Sequence, residues 1–221
     1  MNLTKPKYKP EYPVSAFESF FRDQKEFTLK YLKGVGSSAT NWGKLLHEVL
    51  QFLDFPNLTN LETVLVQALV NQHILDPNFE LKKTLFQTIE NLMRNEKIRR
   101  LLSQKEQVNV ECPFLLDLNS FLVRGQIDRM VKKENEIWII DFKTENLDPN
   151  EILKHAEQYF IQMGCYALAM QKTFLIPLVE THLIFTTTSQ VITWNWDHQK
   201  LTDIENKLMK AHEIIEGLNF G

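Results

Sequence analysis

Apolar positions along the 221-residue chain alternate between two spacings, and the spacing marks out the elements. From Ser15, the side chains of Phe17, Phe20, Phe21, Phe27, Leu29, Tyr31 and Leu32 predict a helix running to Gly34, and Gly34–Thr40 reads as a loop. A second helix is predicted over Gly43 to Asp54, with Leu46, Leu50 and Leu53 as its inward stripe. A third covers about Asn60 to His73, before Asp76-Pro77, and a fourth runs from Phe79 to about Gln104. The period then shortens to that of strands. Gln107–Leu116, Ser120–Lys132 and Glu136–Lys143, joined by short turns, predict an antiparallel meander. Helical spacing returns over Asn150–Lys172, a strand pair follows at Leu178–Thr187 and Gln190–Trp196, and Asp197 can cap a last helix ending near Gly217.

This order divides the chain into a loose arm over 1–14, a helical part over 15–105 and an α/β part over 106–221. No internal repeat or low-complexity stretch interrupts it. With 43% hydrophobic and 24% charged residues, the chain can bury one sizeable core. Cys112 and Cys165 form no spacing motif, which points to a reducing compartment. No signal peptide and no membrane-length apolar run is found, so a cytoplasmic protein with no membrane partner is expected. A net charge of −3 argues against a protein coated in positive charge for non-specific nucleic-acid binding. Basic clusters at Lys5-Lys7-Lys9, Lys97-Arg99-Arg100-Lys105 and Lys132-Lys133 read most simply as solvated surface.

The densest chemistry lies in the meander. In a strand, residues i and i+2 share a face, so Asp141 and Lys143 project together while Trp138, Ile140 and Phe142 point away. Asp128 lies on the preceding strand, and two nearby carboxylates repel unless a cation or proton stands between them. The arrangement suggests a divalent-metal site with a charged helper for a water molecule. A surface Asp–Lys pair beside an unrelated Asp would be weak and common. Here the pair ends a hydrophobic strand, where polar groups usually serve a purpose. Glu111, on the strand containing Val108 and Val110, can face solvent or lie near Asp128. His47, on the edge of the second helix's buried face, is on its own more often a core residue than a ligand. His155, Tyr159, Gln162 and Tyr166 share one helix face, which forms either a Tyr-rich core edge or an active-site lining. The phosphate-loop pattern is absent, because Leu45 follows Lys44, and no Cys/His set has zinc spacing.

Taken in order, these segments resemble the PD-(D/E)xK nuclease superfamily, and specifically the RecB/AddA-type nuclease domain. Gly43-Lys44-Leu45-Leu46-His47-Glu48 resembles the histidine motif and Glu111-Cys112-Pro113-Phe114 the Glu-bearing strand. Gly125-Gln126-Ile127-Asp128-Arg129 resembles the first aspartate motif, with Ile127 at the "P" position, and Asp141-Phe142-Lys143-Thr144 supplies D-x-K. Tyr159 with Gln162-x-x-x-Tyr166 resembles the Q-x-x-x-Y motif of that branch. The resemblance implies an α/β, restriction-endonuclease-like fold: a central mixed sheet flanked by helices, with an amino-terminal helical region. It further implies a metal-dependent DNA nuclease of recombination and double-strand-break repair, exonuclease more than endonuclease. Asp128 and Asp141 would hold Mg²⁺ (or Mn²⁺), with His47 and the Phe142 carbonyl completing the ligands. Lys143, Glu111, Gln162 and Tyr166 would be further site members. The implied partners are DNA, as single strands or ends, and a helicase partner or parent chain. Arg22-Asp23 stands near where cluster-bearing relatives place their first cysteine, so no iron–sulfur cluster is expected. The competing readings are a non-nucleolytic metal hydrolase and a DNA-binding or scaffold domain without turnover.

Overall fold

The computed structural model describes residues 9–32, 41–74 and 79–219. The predicted Gly34–Thr40 loop and the Asp76-Pro77 dipeptide lie outside them. The chain opens with a short strand, β1 (Glu11–Pro13), where the sequence suggests only a loose arm. α1 (Val14–Arg22), α2 (Gln24–Phe27) and a wider π turn over Thr28–Leu32 then replace the single predicted first helix. The break is at Asp23, whose backbone is extended and whose carboxylate accepts from the backbone N–H groups of Lys25 and Glu26 at 2.8 and 3.3 Å. A short polar side chain offering such bonds favours a cap over helix continuation. Asn95 ends the predicted fourth helix early in the same way, separating α5 (Phe79–Arg94) from α6 (Glu96–Leu102) by accepting from Ile98 N–H. Between these groups lie α3 (Asn41–Phe52) and α4 (Leu61–Asn71), close to the predicted spans.

Among the described residues, six strands form one mixed sheet in the order β1-β3-β4-β5-β6, with β2 also paired to β3. β2 (Val108–Asp117), β3 (Leu122–Lys132) and β4 (Glu136–Lys143) are the predicted antiparallel meander. The chain then passes through α7 (Ile152–Ala156), a 3₁₀ turn (Glu157–Tyr159) and α8 (Phe160–Phe174), and returns as β5 (Leu178–Phe185), parallel to β4. β6 (Gln190–Trp196) pairs antiparallel with β5, and α9 (His198–Asn219) closes the fold. Asp197 caps α9 as expected, accepting from Lys200 N–H at 2.8 Å.

Each sheet face carries its own apolar core. On one side Phe17, Ile139, Met163, Leu183 and Leu208 pack beneath α1, α8 and α9. On the other Leu46, Leu50, Leu92, Trp138, Ile140 and Phe142 pack beneath α3–α6. β4 is buried on both faces, which is why it reads as a near-continuous apolar run. α8 and α9 approach closely at Gly164, where an added Cβ would stand 2.6 Å from Ile204 Cδ1 and 3.0 Å from Trp196 Cη2. Gly164→Ala is therefore expected to destabilise the fold by about 1–3 kcal/mol through overpacking, read as a lower urea midpoint with unchanged slope.

Candidate active site

The candidate site sits at a split in the sheet. β2 runs along one edge of β3 from end to end. The opposite edge is shared: β1 pairs with Leu122–Arg124 and β4 with Arg129–Lys132, leaving 125–128 without a strand partner on that side among the described residues. At the same level Glu111 on β2 takes a left-handed backbone conformation with φ 47°, uncommon for a residue other than glycine. The pleat changes phase here. Val123 and Ile127 serve the α1/α8/α9 core, whereas Val131, also an odd position, serves the other core. Buried Arg129 follows Val131, donating to Leu102 O at 3.1 Å. Asp128, at the phase change, reaches across to β4, where its Oδ2 accepts from Phe142 N–H at 2.8 Å. A side chain thus replaces the ladder bond that the diverging strands no longer make.

Asp141 and Lys143 lie one step along β4. Asp141 is only 3% exposed, and its Oδ2 stands 2.8 Å from Lys143 Nζ. Lys143 Nζ also donates to Gln162 Oε1 at 3.2 Å and lies 4.3 Å over the Tyr159 ring. Gln162 Nε2 in turn donates to Tyr166 Oη at 2.7 Å, and Tyr159 Oη donates to Glu145. The 3₁₀ turn interrupts the single predicted helix, yet Tyr159, Gln162 and Tyr166 still converge, and they converge on the lysine. Burial alone would lower the Lys143 pKa, but the Asp141 carboxylate, joined by Glu18 and Asp128, outweighs it and the net shift is upward. Lys143 is held as a cation.

His47 reaches the split from α3, on the far side of the sheet. Its Nε2 lies 2.8 Å from Phe142 O, which can only accept, so Nε2 carries the hydrogen. Nδ1 faces Asp128 Oδ2 at 3.5 Å. Burial lowers the His47 pKa more than Asp141 raises it, so the ring is neutral, the form that ligates metals. Asp128 moves the other way: burial, then the charge of Asp141, pushes its carboxyl well above the usual range, with the Phe142 N–H only partly offsetting this. Among the described residues, no three His, Cys, Asp or Glu side chains already form a closed ligand cluster. Asp141 is engaged by Lys143, so the tightly set donors are His47, Asp128 and the Phe142 carbonyl. This donor set fits a small divalent ion once the His47 proton moves from Nε2 to Nδ1, on the Asp128 side, which frees Nε2 as a ligand: ligands at right angles around Mg²⁺ are about 3 Å apart, close to the 2.8 Å between His47 Nε2 and Phe142 O. A cation would also offset the burial and the Asp141 charge that raise the Asp128 pKa.

The remaining sequence candidate, Glu111, is half-buried and lines a groove with His47 and Thr144; burial raises its pKa. Of the four stripe residues, His155 lies outside the lysine cage, 3.8 Å from Glu145. The sequence gives no sign of Glu18. On α1, 13% exposed at its side chain, it is paired with Arg22 and near enough to Lys143 and Asp141 for their charges to act on it. Burial raises its pKa first of all. A glutamate one turn before an arginine looks like a surface helix pair, and only the packing of α1 against the sheet brings it to the site.

The fold and sequence have recognisable counterparts. The chain is 27% identical over 190 residues to an ATP-dependent helicase/nuclease protein of Bacillus cytotoxicus, which it matches over 74% of its own length and 15% of the relative's. A Streptococcus suis protein of the same name is 28% identical over 151 residues, covering 64% of this chain and 12% of that one. Both relatives are subunits by name, and the chain spans only about a seventh of their length. A solved structure from Eubacterium rectale, provisionally described as an exonuclease, superposes with a TM-score of 0.60 at 13% identity, covering 98% of this chain and 88% of that one, which supports the fold alone. Residues 13–214 match the model of the PD-(D/E)XK nuclease superfamily, and the chain belongs to that superfamily.

Proposed function

We propose that this chain is a divalent-metal-dependent deoxyribonuclease that hydrolyses phosphodiester bonds, acting on single strands or DNA ends. One observation carries the reading: Asp128, Asp141, Lys143, His47 and the Phe142 carbonyl converge at the sheet split. When bound, Mg²⁺ or Mn²⁺ supplies Lewis-acid stabilisation of the charge that builds on the phosphoryl oxygens. His47, Asp128, Asp141 and Phe142 O would hold it.

Lys143 does the rest of the electrostatic work. As a fixed cation it binds a scissile phosphate oxygen and orients the attacking water, and it is too firmly protonated to act as the base. Gln162 and the Tyr159 ring keep Nζ in place, and Tyr166 keeps Gln162 in place. Glu111, beside His47, adds negative charge near Asp128, which would help hold a cation there. The relatives are helicase/nuclease subunits by name. By that analogy the activity belongs to recombination and double-strand-break repair, with a helicase as partner or parent chain.

The test is incubation of the pure protein with end-labelled single-stranded and duplex DNA, with Mg²⁺ or with EDTA. Cleavage that EDTA abolishes is expected. Stable DNA binding with no EDTA-sensitive cleavage would favour a scaffold domain.

A further inference from the structure

We infer that the groove beside the candidate site takes one unpaired nucleobase, with Phe52 as its stacking surface. This rests on the DNA-cleavage reading above and adds what part of the substrate is recognised. The groove, of about 650 Å³, runs from His47, Glu111 and Thr144 along α3 to Gln51, Phe52 and Gln72. Phe52 ends α3 and is 56% exposed, although the helix's aliphatic residues Leu45, Leu46, Val49 and Leu50 are fully buried. An aromatic face left in solvent on the wall of this groove is a platform on which any base can stack.

The charges of the groove decide which part of a nucleotide enters. Its charged side chains are Lys44, Glu48 and Glu111, so acid exceeds base. That lining disfavours a sugar–phosphate backbone and tolerates an uncharged base. Glu48 is fixed by amide donors from Asn71 and from Gln72 at 2.8 Å, so it offers a rigid wall of acceptors. Gln51 and Gln72 add amide groups able to meet a base edge. Five helical residues separate His47 from Phe52, a rise of about 7.5 Å. At about 3.4 Å per stacked nucleotide, the base on Phe52 belongs to the first or second nucleotide from the scissile phosphate. A base within a duplex cannot reach the ring without unpairing, so the groove selects single strands.

The experiment compares wild type with Phe52→Ala and Phe52→Trp on single-stranded oligonucleotides that are intact or carry one abasic site at either of the two nucleotides on each side of the cut. For wild type, one abasic position should raise KM about tenfold. Phe52→Ala should show that raised KM already on intact DNA, with little further penalty from the abasic site, and Phe52→Trp should restore discrimination. Equal KM for Phe52→Ala and wild type on intact DNA, or an undiminished abasic penalty in Phe52→Ala, would overturn the base pocket while leaving the nuclease reading intact. Absence of metal-dependent cleavage by wild type would instead overturn the nuclease reading and the pocket with it. Because Phe52 is mostly exposed, its replacement should not disturb the fold.

Discussion

Asp141→Asn is expected to slow DNA cleavage by at least about 10³-fold, roughly 4 kcal/mol of barrier, with fold and DNA binding retained. Asparagine keeps the volume of a side chain that is 3% exposed in the sheet, so packing should survive. Two things are lost together. A negative charge leaves the proposed cation site, and Lys143 loses the partner 2.8 Å away that does most to offset its burial. The lysine's pKa must then fall, so the pH–rate profile of any residual activity should change shape as well as height. Single-turnover cleavage of end-labelled DNA reads the rate, and fluorescence anisotropy reads binding. Metal-dependent cleavage within tenfold of wild type would remove Asp141 from the proposed machinery.

The contrast between Asp141 and Glu18 shows how far sequence alone reaches. Asp141 and Lys143 announce themselves because a strict two-residue period forces them onto one face of a strand that is otherwise apolar. The meander, the β5–β6 pair and the capped last helix are readable for the same reason, since their periods are local. The helix breaks at Asp23 and Asn95 are missed because apolar spacing continues across them, while a single side-chain cap decides the backbone. β1 is too short to show any period and exists only through its pairing with β3. His47 and Glu18 reach the site from helices on opposite faces of the sheet, a relation set by tertiary packing and not by spacing. For His47, resemblance to a family motif supplied what periodicity could not. The sheet split itself, with its phase change at Glu111 and Asp128, leaves no mark in the alternation of either strand read separately.

Asp128→Asn is expected to lose activity on a similar scale yet yield a more stable protein in EDTA. Asp128 is 15% exposed at its side chain, and its carboxyl is pushed up by burial and by Asp141. A carboxyl whose pKa is raised on folding stabilises the folded state only while protonated. That contribution is complete below the unfolded value of about 3.9 and is lost as pH rises through the raised folded value. At alkaline pH the metal-free wild type therefore carries the cost of that shift, which asparagine removes. Asparagine Oδ1 can still accept from Phe142 N–H, so the bridge across the split need not open. The gain should be about 1–2 kcal/mol, or about 2–8 °C in Tm, at neutral to alkaline pH, and it should shrink towards zero as pH falls to about 4. Adding Mg²⁺ should reverse the ranking, because an ion that binds only the folded wild type stabilises it by mass action and the variant has lost a ligand. Thermal unfolding by circular dichroism, with EDTA and with Mg²⁺ across this pH range, reads both effects. A variant less stable than wild type in EDTA at pH 8 would mean that the Asp128 carboxylate serves the fold, and that its raised pKa does not mark a site waiting for a cation.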